Sequence, residues 1–593
     1  MDNQDEASVL EYVEQFSEVF NSMVQEVMKR GLETKAGSFS PMQDPEKITA
    51  MLSKSVQVDS AKLVQQQISF MEQQSALWQN AAKAMFTQTK VDSVITEARS
   101  DRRVGASEWV DNPMYSYLKQ AYLLNSKMLT DMVDSIEFDD PKEEQQAKFY
   151  TRQYISSVAP SNSLFTNPEV CQEILDTQGQ SLVRGAKNFM HDLEQSPAEA
   201  LKITQTDPDA FTLGEDLATT PGKVVYENDL MQLLHYTPAK NKKVYERPIL
   251  ITPPFINKYY ILDLDQKKSL PRWLLEQGYS VFMISWVNPD AALADKDLGN
   301  YMLEGPIAAL DQVQAITGAD KVNMVGWCIG GTTLAGAAAY LKSKGDERIN
   351  SLTFLTSLLD FSMPGEVGNY LSEQMVPLVE QNADHKGILD GRILGMSFSL
   401  LRENNLFWSY FINNYLKGQD PTAFDILYWN GDSTNLPAAA FKQYVRNTYV
   451  DNLLREPGGM VVDGVALDLS KIDVPCYFLS TIKDHIVPWQ GSYLGTELVS
   501  GPTRFVLAGS GHLAGVINPV EGGKYPHWTN AELAPDAEQW LAAATQHEGS
   551  WWPDWHTWMA PMSGDKVTSP KPGKCATHPA IEDAPGRYVK VRI

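Results

Sequence analysis

Residues 322–332 read VNMVGWCIGGT, an apolar run that ends in a glycine-rich turn and continues into a helical stretch. Gly-x-Cys-x-Gly at residues 326–330 is typical of a nucleophile on a sharp turn between a strand and a helix, where the two glycines avoid clashes with neighbouring backbone. The alanine-rich helix over residues 332–341 directs its N-terminus at Cys328, which favours a thiolate. The pattern predicts Cys328 as a nucleophile. The alternative, an inert buried cysteine, does not need two flanking glycines.

Short apolar runs alternate with helical stretches around this turn. The runs typical of strands lie at residues 249–251, 280–286, 352–355, 476–479 and 504–507. Near-continuous apolar strands separated by helices indicate a parallel sheet covered on both faces. The alternation stops between residues 361 and 437, in a long aromatic-rich stretch that is typical of a cap insertion. The sequence therefore predicts an α/β-hydrolase fold over residues 211–593, with a cap at about 361–437.

The first part of the chain has a different composition. Residues 46–104 contain neither glycine nor proline, and further helical patterns follow at residues 115–135 and 142–157. These features predict a mostly helical N-terminal domain over residues 1–210. Two interpretations stay open for it. It is either a scaffold or interaction domain, or an amphipathic surface that docks on another subunit or an apolar particle.

A strand–turn–helix nucleophile predicts an acid and then a histidine, each just beyond a later strand. Asp484 follows the apolar run at residues 476–480, and His512 follows the run at residues 504–507. Asp484 and His512 are thus the predicted partners of Cys328. The alternatives are a turn or cap carboxylate at Asp484 and a loop histidine without a role at His512. His485 is a competing base, but it adjoins Asp484 and is expected to project elsewhere, in a supporting role.

Two backbone N–H groups are candidates for an oxyanion hole. The first belongs to Ile329, directly after the nucleophile. The second must come from the turn PPFINK at residues 253–258, and because proline has no N–H the candidate is Ile256 or a neighbour. The alternative is that the two prolines merely end a strand.

Composition excludes several classes of protein. The chain has 593 residues and a formal net charge of −24, without the clustered cations that a nucleic-acid binder needs. No apolar run approaches the roughly 18 residues that cross a bilayer, and the acidic N-terminus is unlike a secretory signal. Four cysteines make no disulfide framework, which indicates a reducing cytoplasm. The histidines show no metal-ligand spacing, so we expect neither a metal nor a cofactor.

Longer motifs extend beyond the predicted nucleophile. They are PPFINKYYILDL at 253–264, GWCIGGT at 326–332, FDILYWNGD at 424–432, DHIVPW at 484–489, SGHLAGVINP at 510–519, GSWWP at 549–553 and PGRYVK at 585–590. Over about residues 100–593 the sequence resembles the poly(3-hydroxyalkanoate) synthases, in particular those of class I.

The resemblance implies a cysteine acyltransferase that polymerises (R)-3-hydroxyacyl-CoA, with 3-hydroxybutyryl-CoA as the expected monomer, and releases CoA. It assigns Cys328 as nucleophile, His512 as general base and Asp484 as the carboxylate that supports activation of the substrate hydroxyl. It also implies a homodimer in the cytoplasm, associated with the growing polymer and the granule surface. Two other functions stay open: a cysteine-dependent acyl hydrolase or thioesterase, and a non-enzymatic granule-associated scaffold.

Overall fold

The computed structural model describes residues 57–87, 91–97, 101, 103–239, 243–371 and 376–593. The described residues divide into two compact units, one formed by those up to residue 207 with 393–422 and the other by those in 208–392 and 423–593. No helix in these described ranges is long and apolar enough to span a membrane.

The first unit is helical in its described part. Its helices are α1 (Ser60–Thr87), α2 (Glu108–Asp111), α3 (Pro113–Val133), α4 (Pro141–Ser157), α5 (Pro168–Asp176) and α6 (Gln180–Gln195). Helices α3, α4 and α5 each begin with proline, preceded by an Asn or Asp whose side chain accepts first-turn N–H groups. This combination stabilises the start of a helix. Proline has no N–H that needs an acceptor there, and the capping side chain accepts first-turn N–H groups that have no partner within the helix. The helical N-terminal region is therefore confirmed where the structure describes it.

Residues 393–422 join this helical unit, which differs from the single cap predicted at 361–437. Tyr415 explains the grouping. Its hydroxyl donates to Asp192 Oδ2 at 2.6 Å, and a Cβ on Gly185 of α6 would lie 1.9 Å from its carbonyl oxygen. A glycine on α6 thus lets the backbone of this segment pack directly against the helix, a long-range contact that residue spacing does not reveal.

The second unit is built on a large mixed sheet. Its strands are β1 (Gly222–Glu227), β2 (Met231–Tyr236), β3 (Ile249–Thr252), β4 (Val281–Trp286), β5 (Val322–Trp327), β6 (Ile349–Leu355), β7 (Cys476–Thr481), β8 (Thr503–Ala508), β9 (His527–Thr529), β10 (Thr545–His547) and β11 (Glu582–Asp583). They are ordered β10-β9-β8-β7-β6-β5-β3-β4-β2-β1-β11. The six central strands, β8, β7, β6, β5, β3 and β4, pair in parallel with their neighbours in this group. The strands on either side of the group pair antiparallel.

Helices connect and cover these strands. In chain order the remaining helices are α7 (Leu270–Gln277), α8 (Leu298–Met302), α9 (Ala308–Thr317), α10 (Ile329–Ser343), α11 (Val376–Lys386), α12 (Gly391–Leu401), α13 (Asp425–Gly431), α14 (Ala438–Val445), α15 (Trp489–Leu494), α16 (Ala537–Ala542) and α17 (Trp552–Met559). Of these, α12 lies almost wholly in residues 393–422 of the first unit. Strands β4, β5, β6 and β7 are buried along their whole length, as the continuous apolar runs predict. The carboxyl ends of parallel strands share one edge of the sheet, and the candidate site lies there.

Candidate active site

Cys328 occupies a strained turn between β5 and α10. It has φ 52° and ψ −127°, a left-handed backbone conformation that is unusual for any residue other than glycine. Its N–H donates to Leu355 O at 2.9 Å, which anchors the turn to the end of β6. Strain of about 1–3 kcal/mol at such a position persists only where the surrounding structure enforces it, and it concentrates at functional sites.

The two flanking glycines are required by the packing of this turn. A Cβ on Gly326 would lie 2.5 Å from Gly331 Cα in the following helix. A Cβ on Gly330 would lie 2.4 Å from Thr252 O at the end of β3. Both contacts are with backbone, which cannot yield as a flexible side chain can. Neighbouring backbone therefore excludes side chains at Gly326 and Gly330, as the spacing predicts.

Asp484 and His512 come together in the loops after β7 and β8. His512 Nδ1 lies 2.7 Å from Asp484 Oδ2, and both residues are buried. Asp484 is held by the loop itself, because its Oδ1 accepts the N–H groups of Ile486 and Val487, each at 2.9 Å. Thr481 Oγ1 donates to Oδ2 at 3.2 Å. These bonds fix which carboxylate oxygen faces the imidazole.

The electrostatics of His512 link it to Cys328. Burial disfavours the charged ring, but the carboxylate of Asp484 and the thiolate form of Cys328 outweigh it and raise the pKa of His512 to about 10. Because Nδ1 is engaged by Asp484, Nε2 is the nitrogen left for Cys328, whose thiolate form contributes to the raised pKa of His512. The arrangement can hold an imidazolium beside a thiolate.

Aromatic side chains surround these groups. Trp327 stacks at 6.2 Å on the ring of His512 and at 6.4 Å on Trp429. Tyr444 and Tyr449 lie close enough to Cys328 for a charge on its sulfur to act on them. Burial is the main cause that raises the pKa of both phenols, and the charge of Cys328 raises it further. Trp429 lies in the aromatic-rich insertion and in the motif at 424–432, which indicate it from the sequence. No residue pattern indicates Trp327, Tyr444 or Tyr449 as part of the site.

The predicted oxyanion donors lie on two adjoining segments. Ile329 begins α10, so the helix offers its N–H no acceptor, and no described residue accepts from it. The turn after β3 abuts the start of this helix, since a Cβ on Gly330 would also lie 2.6 Å from Pro253 O. Ile256 lies in that turn, and its role stays a prediction.

The Asp484 carboxylate is hydrogen-bonded to the ring of His512 and not to that of its neighbour His485. Its backbone carbonyl accepts the N–H of Glu366 at 3.0 Å, while the Asp484 carboxylate faces the ring of His512. Its supporting role stays a prediction. Among the described residues, no group of three His, Cys, Asp or Glu side chains could hold a metal ion.

A mainly parallel sheet with a nucleophile turn after β5 and an acid and a histidine beyond later strands defines the α/β-hydrolase class. Residues 259–519 match the family described as the alpha/beta hydrolase fold, which confirms the predicted fold. Residues 100–274 match the family described as the N-terminus of poly-beta-hydroxybutyrate polymerase (PhaC).

Curated relatives cover most of the chain. It is 43% identical over 542 residues to the poly(3-hydroxyalkanoate) polymerase subunit PhaC of Cupriavidus necator, which spans 91% of this chain and 90% of that protein. It is 41% identical to the poly(3-hydroxyalkanoate) polymerase of Methylorubrum extorquens, over 90% of this chain and 88% of that protein. The PhaC subunit of Rhizobium meliloti is 39% identical over 94% of this chain and 90% of that protein. The chain belongs to the poly(3-hydroxyalkanoate) polymerase family.

Proposed function

We propose that this chain is an acyltransferase that polymerises (R)-3-hydroxyacyl-CoA, with 3-hydroxybutyryl-CoA as its monomer, into polyhydroxyalkanoate and releases CoA. The observation that carries the proposal is the strained Cys328 turn facing the buried Asp484–His512 pair, in a chain of this family. A cysteine suits this chemistry because thiolate attack on a CoA thioester exchanges one thioester for another at little net cost.

Loading of the enzyme is the first step of the proposed mechanism. The Cys328 thiolate attacks the thioester carbonyl, and the N–H of Ile329 stabilises the developing oxyanion together with a donor from the 253–258 turn. The carbon–sulfur bond to CoA breaks, and the imidazolium of His512 gives its proton to the departing CoA thiolate. An acyl-cysteine and neutral His512 remain. Acylation removes the thiolate charge, one of the causes that raise the pKa of His512, so the ring stays neutral and can act as a general base.

Chain growth follows from the neutral imidazole. His512 takes the proton of a 3-hydroxyl group, and that oxygen attacks the acyl-cysteine carbonyl. An ester bond forms, the Cys328 thiolate leaves, and the imidazolium–thiolate pair is restored. Asp484 holds the ring orientation and stabilises its charged form.

Water is the competitor at the second step, because its attack would make the same site a hydrolase. The aromatic residues Trp327, Trp429, Tyr444 and Tyr449 support the polymerase proposal, since apolar walls exclude water from an acyl-enzyme. We further propose a homodimer that forms or tightens with substrate, and association with polymer granules in the cytoplasm. Sedimentation with and without substrate tests the dimer, and a monomer in both conditions would contradict it.

The decisive experiment measures CoA release from 3-hydroxybutyryl-CoA and turbidity in one cuvette. Cys328→Ala is compared with Cys575→Ala, which removes a partly exposed cysteine on the hairpin of residues 574–579. We expect thiol release with rising turbidity in the wild type and in Cys575→Ala, and neither in Cys328→Ala. Thiol release from a clear solution would favour the hydrolase. CoA release that survives Cys328→Ala would contradict Cys328 as the nucleophile. No CoA release by the wild type from this monomer or longer ones would favour the scaffold.

A further inference from the structure

Lys258 is a buried lysine whose ammonium group contacts three oxygens. Its side chain is 4% exposed, at the end of the 253–258 turn. Its Nζ donates to Val589 O at 2.9 Å and to Val591 O at 2.5 Å. It also forms an ion pair with Asp432, whose Oδ1 lies 2.8 Å away. Lys258 therefore lacks the exposure with which to contact a substrate.

The carboxylate that pairs with Lys258 is equally enclosed. Asp432 is 1% exposed at its side chain, and its Oδ2 accepts the hydroxyl of Tyr260 at 2.9 Å. Arg592 Nε lies 3.7 Å from Oδ1, and its guanidinium stacks over the ring of Tyr428 at 4.6 Å. The last residues of the chain thus contribute two carbonyl groups and one cation to this cluster.

The cluster adjoins the candidate active site in two places, the aromatic residues beside Cys328 and the 253–258 turn. The carbonyl of Lys258 accepts the indole N–H of Trp429 at 2.6 Å, and Trp429 stacks on Trp327, the residue before Cys328. Lys258 also follows Ile256, the predicted oxyanion donor, by two residues in the same short turn. Movement of Lys258 would therefore move the turn that supplies the second donor.

Stability alone is a weak explanation for such a cluster. A buried ion pair costs so much desolvation that apolar side chains of similar volume are often as stable or more stable. What the ammonium does provide is a fixed geometry, because its two hydrogen bonds and its ion pair end on three different oxygens. Val589, whose carbonyl accepts one of these bonds, is 1% exposed.

We propose that Lys258 is a positioning residue, whose ammonium fastens the C-terminal residues 589–592 and Asp432 to the turn that carries the second oxyanion donor. The proposal rests on the acyl-transfer function stated above. It predicts that loss of the ammonium slows acyl transfer without weakening substrate binding, since the donor acts on the transition state.

The test compares Lys258→Met, which keeps side-chain length, with Lys342→Met as a matched control. Lys342 is also 4% exposed and is paired with Asp473 and Glu347, but it lies in the last turn of α10, away from Cys328. We expect Lys258→Met to lower kcat for CoA release by about 10- to 100-fold, because losing an oxyanion donor outright costs roughly 100- to 1000-fold. KM should stay within twofold, and Lys342→Met should leave both constants unchanged.

Two further measurements keep the proposal falsifiable. Amide hydrogen exchange of residues 589–592 should be at least tenfold faster in Lys258→Met than in wild type or Lys342→Met, and this measurement needs no activity. Combining Lys258→Met with Asp432→Asn should lower kcat no more than the worse single variant, because both disrupt one cluster. If Lys258→Met does not fold, Tyr260→Phe removes one bond to the same carboxylate and should show a smaller kcat loss of the same kind.

The outcomes separate the two proposals. An unchanged kcat together with unchanged hydrogen exchange of residues 589–592 in Lys258→Met would overturn the positioning role, as would a loss confined to KM. A wild-type protein that releases no CoA would instead defeat the proposed function, while faster exchange of residues 589–592 in Lys258→Met would still support their fastening by Lys258.

Discussion

Replacing Asp484 with asparagine tests the coupling between the carboxylate, the imidazole and the thiol. Oδ1 of Asp484 accepts two backbone N–H groups, from Ile486 and Val487. In Asp484→Asn the amide oxygen must take this place, because an NH2 group cannot accept them. The amide nitrogen then faces His512 Nδ1, which must accept rather than donate. The proton of a neutral ring is thereby placed on Nε2, so the ring cannot take a proton from Cys328.

The magnitude follows from the electrostatics of His512. Burial favours the neutral ring, yet Asp484 and the Cys328 thiolate raise its pKa from 6.5 to about 10, which corresponds to roughly 5 kcal/mol in favour of the imidazolium. Without the carboxylate, burial again favours the neutral ring, so the pKa of His512 falls. The Cys328 thiolate then loses the positive charge beside it. We expect kcat for CoA release to fall by about 10³- to 10⁴-fold, as a wrong tautomer does in triad enzymes.

The assay is the rate of Cys328 alkylation by iodoacetamide as a function of pH, followed alongside CoA release. Wild type should react readily at neutral pH, whereas Asp484→Asn should need more alkaline solution. Asp554→Asn is the matched control. Asp554 binds Arg504 and Tyr477 near the starts of β8 and β7, the ends opposite to Asp484 and His512. A wild-type alkylation profile in Asp484→Asn, with more than a tenth of the activity, would refute the reasoning.

Three further predictions concern Gly330 in the turn beside Cys328, the buried His235, and Tyr444 among the aromatic residues around Cys328. Gly330→Ala should destabilise the fold by about 1–3 kcal/mol through overpacking against the β3 backbone and reduce CoA release about a hundredfold. Gly345→Ala, in an open turn far from the site, should also destabilise the fold because of its φ of 74°, but should retain activity. Burial lowers the pKa of His235 to about 3, so its stabilising contribution is full above pH 6.5 and is lost as the pH falls toward 3. Acid unfolding of His235→Gln, followed by circular dichroism, should therefore show a shallower pH dependence, and an unchanged slope would contradict this. Tyr444→Ala should open the wall beside Cys328 to water and raise the share of CoA release that yields soluble 3-hydroxybutyrate, measured by chromatography, and an unchanged product ratio would count against a role of Tyr444 in excluding water.

The sequence alone determined the elements that depend on local pattern. Continuous apolar runs indicated β3 to β8, because strands buried on both faces need apolar residues at every position. Gly326 and Gly330 indicated the nucleophile turn, since only glycine tolerates backbone at 2.5 Å or less from its missing Cβ. The chain order of Cys328, Asp484 and His512 followed from the class of turn. Each inference needed only neighbouring residues and the order of elements.

Only the tertiary structure decided the long-range relationships. The antiparallel strands β1, β2 and β9 to β11 are short or carry mixed side chains, so their runs do not stand out. Residues 393–422 joined the helical unit through contacts such as Tyr415 with Gly185, more than two hundred positions apart. Lys258 likewise contacts Asp432 and the carbonyls of Val589 and Val591, which are distant from it in the sequence. A residue pattern records which face of an element is buried, whereas the partner that buries it depends on how the whole chain packs.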